Sequence, residues 1–339
     1  MGFKVFEAIN GKTLKLSSDL NLTIYAADNC NPELCYKFIG CADLSEKNSS
    51  QHFDSVAVFD NNLNVVVNVN DCPYRLALNT ISSIKKKFGK IDLLLTGYSG
   101  AGEFPQCFDN FNEQEKKIEA HKKKLNFLNQ AIQYIQFLEP CKYFLFAGRY
   151  TLSGKLFKLN KFRGIPNKEE SRRYIERNIN VNSVNLNLNE ECIFDIEKNK
   201  LFNLKNVLHT VDDNHFINKG FVYDHDKVPT IDDLIILGEK AFVEFDKRSE
   251  LLNLKRIHKL CISLGEKHII IGEDFKISET LPTENYLRIA TDPKLLARLF
   301  RGPKFAHWNN ASIGSHIRFY RKPNIYERST YYSLSYLHA

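Results

Sequence analysis

Three loops in the first half of the chain carry side chains suited to holding a polar ligand. Asn68-Val-Asn-Asp-Cys-Pro73 leaves one strand-like run and places the Asp71 carboxylate just past its end. Gly97-Tyr-Ser-Gly-Ala-Gly102 leaves a second, with Glu103, Phe104 and Pro105 completing a tight turn. Ala147-Gly-Arg-Tyr150 leaves a third. In open α/β sheets, ligands bind where such loops meet at the carboxyl ends of strands. If the strands are neighbours, Asp71, Tyr98, Ser99 and Arg149 converge on one edge. Taken singly, a glycine after a strand marks only a turn.

A further cluster closes the chain. His307-Trp-Asn-Asn-Ala-Ser-Ile-Gly-Ser-His316 holds the only Trp, Trp308, with the amides Asn309 and Asn310 and the imidazoles of His307 and His316. That density suits recognition of a polar planar or phosphorylated ligand. The alternative is a buried Trp308 with asparagines tying down a terminal loop. Two acid–histidine patches, His209 to His215 and Asp224-His-Asp226, have the ligand types of a metal site but lie in polar, loop-like sequence. Cys30, Cys35 and Cys41 are close together without Cys-x-x-Cys spacing or an intervening histidine, so reduced loop thiols are expected. Tyr98-Ser99-Gly100 is not a nucleophile elbow, because Ala101 stands where the second outer glycine must be. No P-loop, dinucleotide fingerprint or His-Glu-x-x-His is present.

The elements that must position these residues read as follows. Leu20 to Tyr25 is strand-like, and Ser55–Phe59 and Asn64–Val69 flank the turn-forming Asp60-Asn61-Asn62, a hairpin signal. A helix over Leu76 to Phe88 should end at Gly89, with Lys85, Lys86 and Lys87 in its last turn. Ile91 to Leu95 follows as a buried strand. Ile118, Leu125, Leu128, Ile132, Ile135 and Leu138 recur at helical spacing, which predicts one long helix over 112–138 with its lysines solvated. Lys142 to Phe146 is another strand, so the order argues for an α/β fold. Residues 163–227 read as mixed helix and loop. His268 to Ile277 reads as a hairpin, Pro293 to Phe300 as a helix begun by Thr291 or Asp292, and Ile317 to Arg321 as a strand.

The chain has 339 residues and a net charge of +7, most of it between Arg298 and Arg328, where seven cations face one acid. Such a tail suits a phosphate-bearing ligand, a nucleic acid or a membrane surface, or is a solvated face. No apolar run reaches the ~20 residues of a membrane helix, and the opening residues are not a signal peptide. A cytoplasmic protein with reduced thiols is expected.

Asn68-Val-Asn-Asp-Cys72, Asp92-Leu-Leu-Leu-Thr-Gly-Tyr-Ser-Gly-Ala101 with Phe104-Pro105, Phe146-Ala-Gly-Arg149, and Trp308-Asn-Asn-Ala311 to Gly314-Ser315 resemble one family in order and loop context. It is the metallo-β-lactamase-fold proteins similar to CMP-N-acetylneuraminate hydroxylase and the sugar-nucleotide hydroxylase-like proteins around it. The resemblance implies an α/β fold, a metallo-β-lactamase-like αββα layered sandwich, incomplete or diverged at the N-terminus. Residues 1–155 would be the second half of that core. Residues 156–339 would be a helical and mixed elaboration whose Trp-Asn-Asn segment returns to it. Asp71 falls where the family has a bridging metal ligand, which implies zinc or iron. Tyr98, Ser99, Arg149, His307, Trp308, Asn309, Asn310 and His316 would surround a phosphorylated substrate such as a sugar nucleotide.

The family's His-x-His-x-Asp-His is absent, and so is the Cys-x-His of Rieske proteins. One acid cannot hold a catalytic metal, which wants three or more protein ligands. The chain is then either a hydrolase- or hydroxylase-like enzyme completed by a partner chain carrying the histidines, or a metal-free relative that binds a phosphorylated ligand or a protein partner. Nucleic-acid binding through the basic tail is the weakest reading, and would require steep salt dependence.

Overall fold

The computed structural model describes residues 7–28, 54–69, 71–188, 192–203, 213–251, 258–326 and 328–339. The Cys30–Cys41 cluster, His209 and Asp212 lie outside them.

Strands β1 (Thr13–Lys15) and β2 (Asn21–Ala26) pair antiparallel, and β2 pairs with β3 (Ser55–Asp60). β3 turns into β4 (Val65–Asn68) through Asn61, whose side chain accepts from the Leu63 and Asn64 amides while Asn62 takes φ 66°. That is the asparagine turn chemistry expected of the hairpin. Helix α1 (Leu78–Phe88) ends at Gly89, at φ 67°, with the expected lysines in its last turn. It leads to β5 (Leu93–Gly97), α2 (Glu113–Leu138) and β6 (Lys142–Phe146). Then follow α3 (Lys168–Asn178) and β7 (Val184–Asn185).

The first sheet runs β1-β2-β3-β4-β5-β6-β7, antiparallel as far as β4 and parallel from β4 to β7. Val58, Val67, Leu94 and Tyr143 are successive partners across it. They share one core with Ile81 and Ile84 of α1 and with Leu128, Ala131, Tyr134 and Ile135 of α2. A capping box starts α2: the Asn112 side chain accepts from the Glu115 amide at 3.0 Å, and the Asn112 amide donates to Glu115 at 2.8 Å. Such a cap contributes about 1 kcal/mol.

The apolar stripe expected of α2 holds only in its second half. Ile118 is 47% exposed, while Lys116 and Ala120 are buried. The first turns pack against the loop at Gly164, where a Cβ would lie 2.3 Å from the Ala120 carbonyl oxygen, so the buried face is rotated away from Ile118.

The polar stretch 163–227, read as helix and loop, also contains strands: β7, and a hairpin of β8 (Cys192–Asp195) with β9 (Lys200–Asn203). Helix α4 (Ile231–Leu251) is an element the sequence reading missed. The second sheet, ordered β12-β11-β10-β13-β14, is built from β10 (Lys259–Leu264), β11 (Lys267–Ile271), β12 (Phe275–Ser278), β13 (Tyr286–Thr291) and, after α5 (Pro293–Arg301) and α6 (Trp308–Ile313), β14 (Ile317–Lys322). A last helix, α7 (Arg328–Leu334), follows. The Asp292 side chain caps α5 by accepting from the Lys294 amide. A second core joins Ile262, Ile269, Leu287 and Ile289 of this sheet to Phe245, Leu296, Phe300 and Trp308 of its helices.

The two sheets are sewn together by the loop that follows β5. Phe108 bridges Phe319 in parallel, with the Asp109 amide donating to the Phe319 carbonyl and the Phe319 amide to that of Cys107. Asp109 then accepts from Arg288 at 3.0 Å and from Arg318. The architecture is α/β.

Candidate functional site

Because β4, β5 and β6 are parallel neighbours, their carboxyl ends share one edge, and the loops carrying Asp71, Tyr98, Ser99 and Arg149 all leave from it. Two of these loops are locked together. Ser99 Oγ donates to the Gly148 carbonyl at 2.6 Å, and the buried Tyr98 ring lies flat against Gly148. A Cβ on Gly148 would fall 1.9 Å from that ring, so only glycine permits this approach. The preceding Ala147 takes φ 49°, a left-handed conformation that is costly for a residue with a Cβ. This backbone turns Arg149 out to solvent, close enough to Tyr98 for its charge to oppose the rise that burial imposes on the phenol's pKa.

Behind this lock lies a buried polar layer. Gln106 Nε2 donates to the Gly102 carbonyl and to Ser315 Oγ, the latter at 2.9 Å. Ser315 is itself left-handed, at φ 64°. The Tyr150 phenol lies beside Gln106 and is pushed up to about 12 by burial, with Arg163 opposing. Tyr150 Oη and Gln106 Oε1 are both buried without a hydrogen bond of good geometry. The two face each other, and the phenol's interaction with the Gln106 side chain also opposes the rise, so each is the other's polar neighbour. Gln106, Tyr150 and Ser315 belong to no spacing motif and escaped the sequence reading.

Asp71 is exposed on the turn after β4. Its neighbours are anchored: the Val69 amide donates to the Leu95 carbonyl, and Tyr134 Oη donates to the Cys72 carbonyl at 2.9 Å. Among the described residues, no three His, Cys, Asp or Glu side chains come together to hold a metal ion, so the described donor set does not fit zinc or iron at Asp71. The Asp224–Asp226 patch is committed to ion pairs, Asp224 with Lys155 at 2.9 Å and Asp226 with Arg298. None of the described cysteines is in a disulfide.

The closing segment divides. Trp308 is 2% exposed, and its indole donates to the Leu337 carbonyl at 2.6 Å. His307 caps α6, its Nδ1 accepting from the Asn309 amide, and Asn309 and Asn310 are exposed on the helix. No described hydrogen bond or ring contact links His307, Trp308, Asn309 or Asn310 to Tyr98, Ser99 or Arg149. The segment reaches the strand edge through Ser315 instead.

His316 pairs through Nδ1 with Tyr223 Oη at 3.0 Å, near Lys155, which bridges Asp224 and Asp292. Burial, then the Lys155 charge, lowers the His316 pKa, while Asp224 opposes. An unfolded histidine titrates near 6.5, so the stabilisation that comes from keeping His316 neutral is complete above that pH. It is lost as the pH falls through 6.5 toward the lower folded value. Between pH 7 and pH 5 the Tm of the wild type should therefore fall more than that of His316→Gln. Parallel curves would remove His316 as the cause.

The tail cations do not form one patch. Arg298 pairs with Asp226, Arg318 with Asp109, and the Arg321 guanidinium lies 4.7 Å from the Phe108 ring centre. No helix among the described residues is long and apolar enough to cross a membrane.

No family model and no curated protein matches the chain. Among solved structures it is similar to CmlA, a diiron β-hydroxylase from Streptomyces venezuelae, at 12% identity and a TM-score of 0.30 over 54% of this chain and 33% of that one. A point variant of CmlA gives 13%, 0.31, 55% and 33%. The metallo-β-lactamase-fold protein YhfI from Bacillus subtilis gives 10% and 0.27 over 53% of this chain and 50% of that one. The chain thus matches a third to a half of the length of these structures. Likeness at this level transfers no residue role, and the site stands on its own geometry.

Proposed function

We propose that this chain binds a phosphate-bearing small molecule, such as a sugar nucleotide, across the carboxyl edge of β4, β5 and β6, without a metal at Asp71. The observation that carries this reading is the lock of Ser99 and Tyr98 onto Gly148, which fixes the backbone from which Arg149 projects. A guanidinium on a fixed backbone suits the paired oxygens of a phosphate. The reading supplies binding and orientation only. No nucleophile or acid–base pair is assigned.

Arg149→Ala tests it. Losing a hydrogen bond to a charged group costs about 1.5–3 kcal/mol, so the affinity for cytidine 5′-monophosphate should fall roughly 10- to 100-fold. Calorimetric titration of both proteins reads this directly. Equal affinities would remove Arg149 and the proposed site with it.

A further inference from the structure

A second concavity, of about 630 Å³, lies between the start of α4 and α5. Its volume is that of a small-molecule site. Five cations line it, Lys227, Lys294, Arg298, Arg301 and Lys304, against the two carboxylates of Asp226 and Asp233, for a net +3. Both carboxylates are already engaged. Asp226 accepts from Arg298 at 2.8 Å, and Asp233 accepts from the Thr230 amide at 2.9 Å in capping α4. Lys294 donates to the Asp224 carbonyl. Lys227, Arg301 and Lys304 are exposed and form no ion pair among the described residues.

The rest of the lining is apolar. Leu237 and Ala297 lie there with Ile236, which is 51% exposed, and Phe305, which is 49% exposed. Among the described lining residues there is no Ser, Thr, Asn, Gln, Tyr or His. No neutral hydroxyl or amide side chain is present there to read a sugar. The cavity's side chains therefore offer charge and apolar surface.

We infer that this cavity binds a phosphate group carried on an apolar chain, as in an alkyl or prenyl phosphate. The dianionic head lies among Lys227, Arg301 and Lys304, and the chain lies over Ile236, Ala297 and Phe305. A phosphate, at nearly two negative charges, matches the excess of cations better than a carboxylate does. The same chemistry is offered by a free amphiphile and by an anionic lipid headgroup.

Dodecyl phosphate, kept below its micellar concentration, is the probe, titrated by calorimetry against inorganic phosphate. It should bind one to one and at least about tenfold more tightly than inorganic phosphate, because the chain adds apolar burial. The double variant Arg301→Glu, Lys304→Glu should weaken it at least about tenfold. Both side chains are exposed, so an unchanged circular dichroism spectrum and Tm would certify the fold. Flotation with vesicles of phosphatidylcholine containing phosphatidic acid separates the sources. Binding of the monomer assigns a free amphiphile, and flotation without monomer binding assigns the lipid headgroup. Either must be lost in the double variant. Equal affinity for the two phosphates without flotation, or binding that survives the charge reversal, overturns the inference. Arg149→Ala must leave this site unchanged, so its failure and that of the strand-edge site are told apart.

Discussion

Gly148→Ala should destabilise the protein by about 3 kcal/mol, the upper end of what overpacking a core costs. The added methyl would sit 1.9 Å from the Tyr98 ring, which is only 5% exposed and has little room to swing away. The backbone cannot retreat freely either, because the Gly148 carbonyl accepts from Ser99 at 2.6 Å. Urea denaturation should show a lower midpoint with an unchanged slope. The double variant Tyr98→Ala, Gly148→Ala isolates the cause. If the clash is with Tyr98, the double variant should lose clearly less than the two single changes added together. A Gly148→Ala protein as stable as wild type would mean that the two loops are not locked as described, and the platform for Arg149 would go with them.

Trp308→Ala should cost about 3–5 kcal/mol, as truncations of buried aromatic side chains do. The ring packs edge-on to Phe300 at 6.1 Å, and its N–H satisfies the Leu337 carbonyl, so the truncation leaves both a void and an orphaned acceptor. Trp308→Phe keeps most of the apolar volume and loses the hydrogen bond, so it should cost about 1–2 kcal/mol. Because α6 shares no described hydrogen bond or ring contact with Tyr98, Ser99 or Arg149, the phenylalanine variant should bind cytidine 5′-monophosphate as the wild type does. Weaker binding at unchanged stability would return Trp308 to the ligand site.

The elements that could be read from the sequence are those whose signals are local. The β3–β4 hairpin announces itself through Asp60-Asn61-Asn62, and the end of α1 through Gly89. Helix α4 was hidden because its buried face carries Gly238, Ala241 and Ser249 among the larger Leu234 and Phe245, which dilutes the apolar period. Ile118 misled for the opposite reason. Its spacing was helical and apolar, yet a loop some 45 residues away chose Lys116 and Ala120 as the buried face.

The site divides along the same line. The convergence of Tyr98, Ser99 and Arg149 on one edge was legible because each follows a strand, and parallel pairing brings strand ends together. Gln106 and Ser315 stand 209 residues apart and meet only through the tertiary fold, so no window of sequence contains both. Trp308 can be read two ways from composition, and its burial and its bond to Leu337, which fit the structural way, depend on residues distant in sequence.

The central claim is that the strand edge holds a phosphate-bearing ligand without a metal at Asp71. The direct test is calorimetric titration of cytidine 5′-monophosphate into protein dialysed against EDTA, repeated after adding zinc or ferrous ion. Binding of equal affinity in all three conditions, unaltered by Asp71→Ala, is the predicted result. Binding that appears only when metal is restored, and vanishes in Asp71→Ala, would contradict the account and make Asp71 a metal ligand.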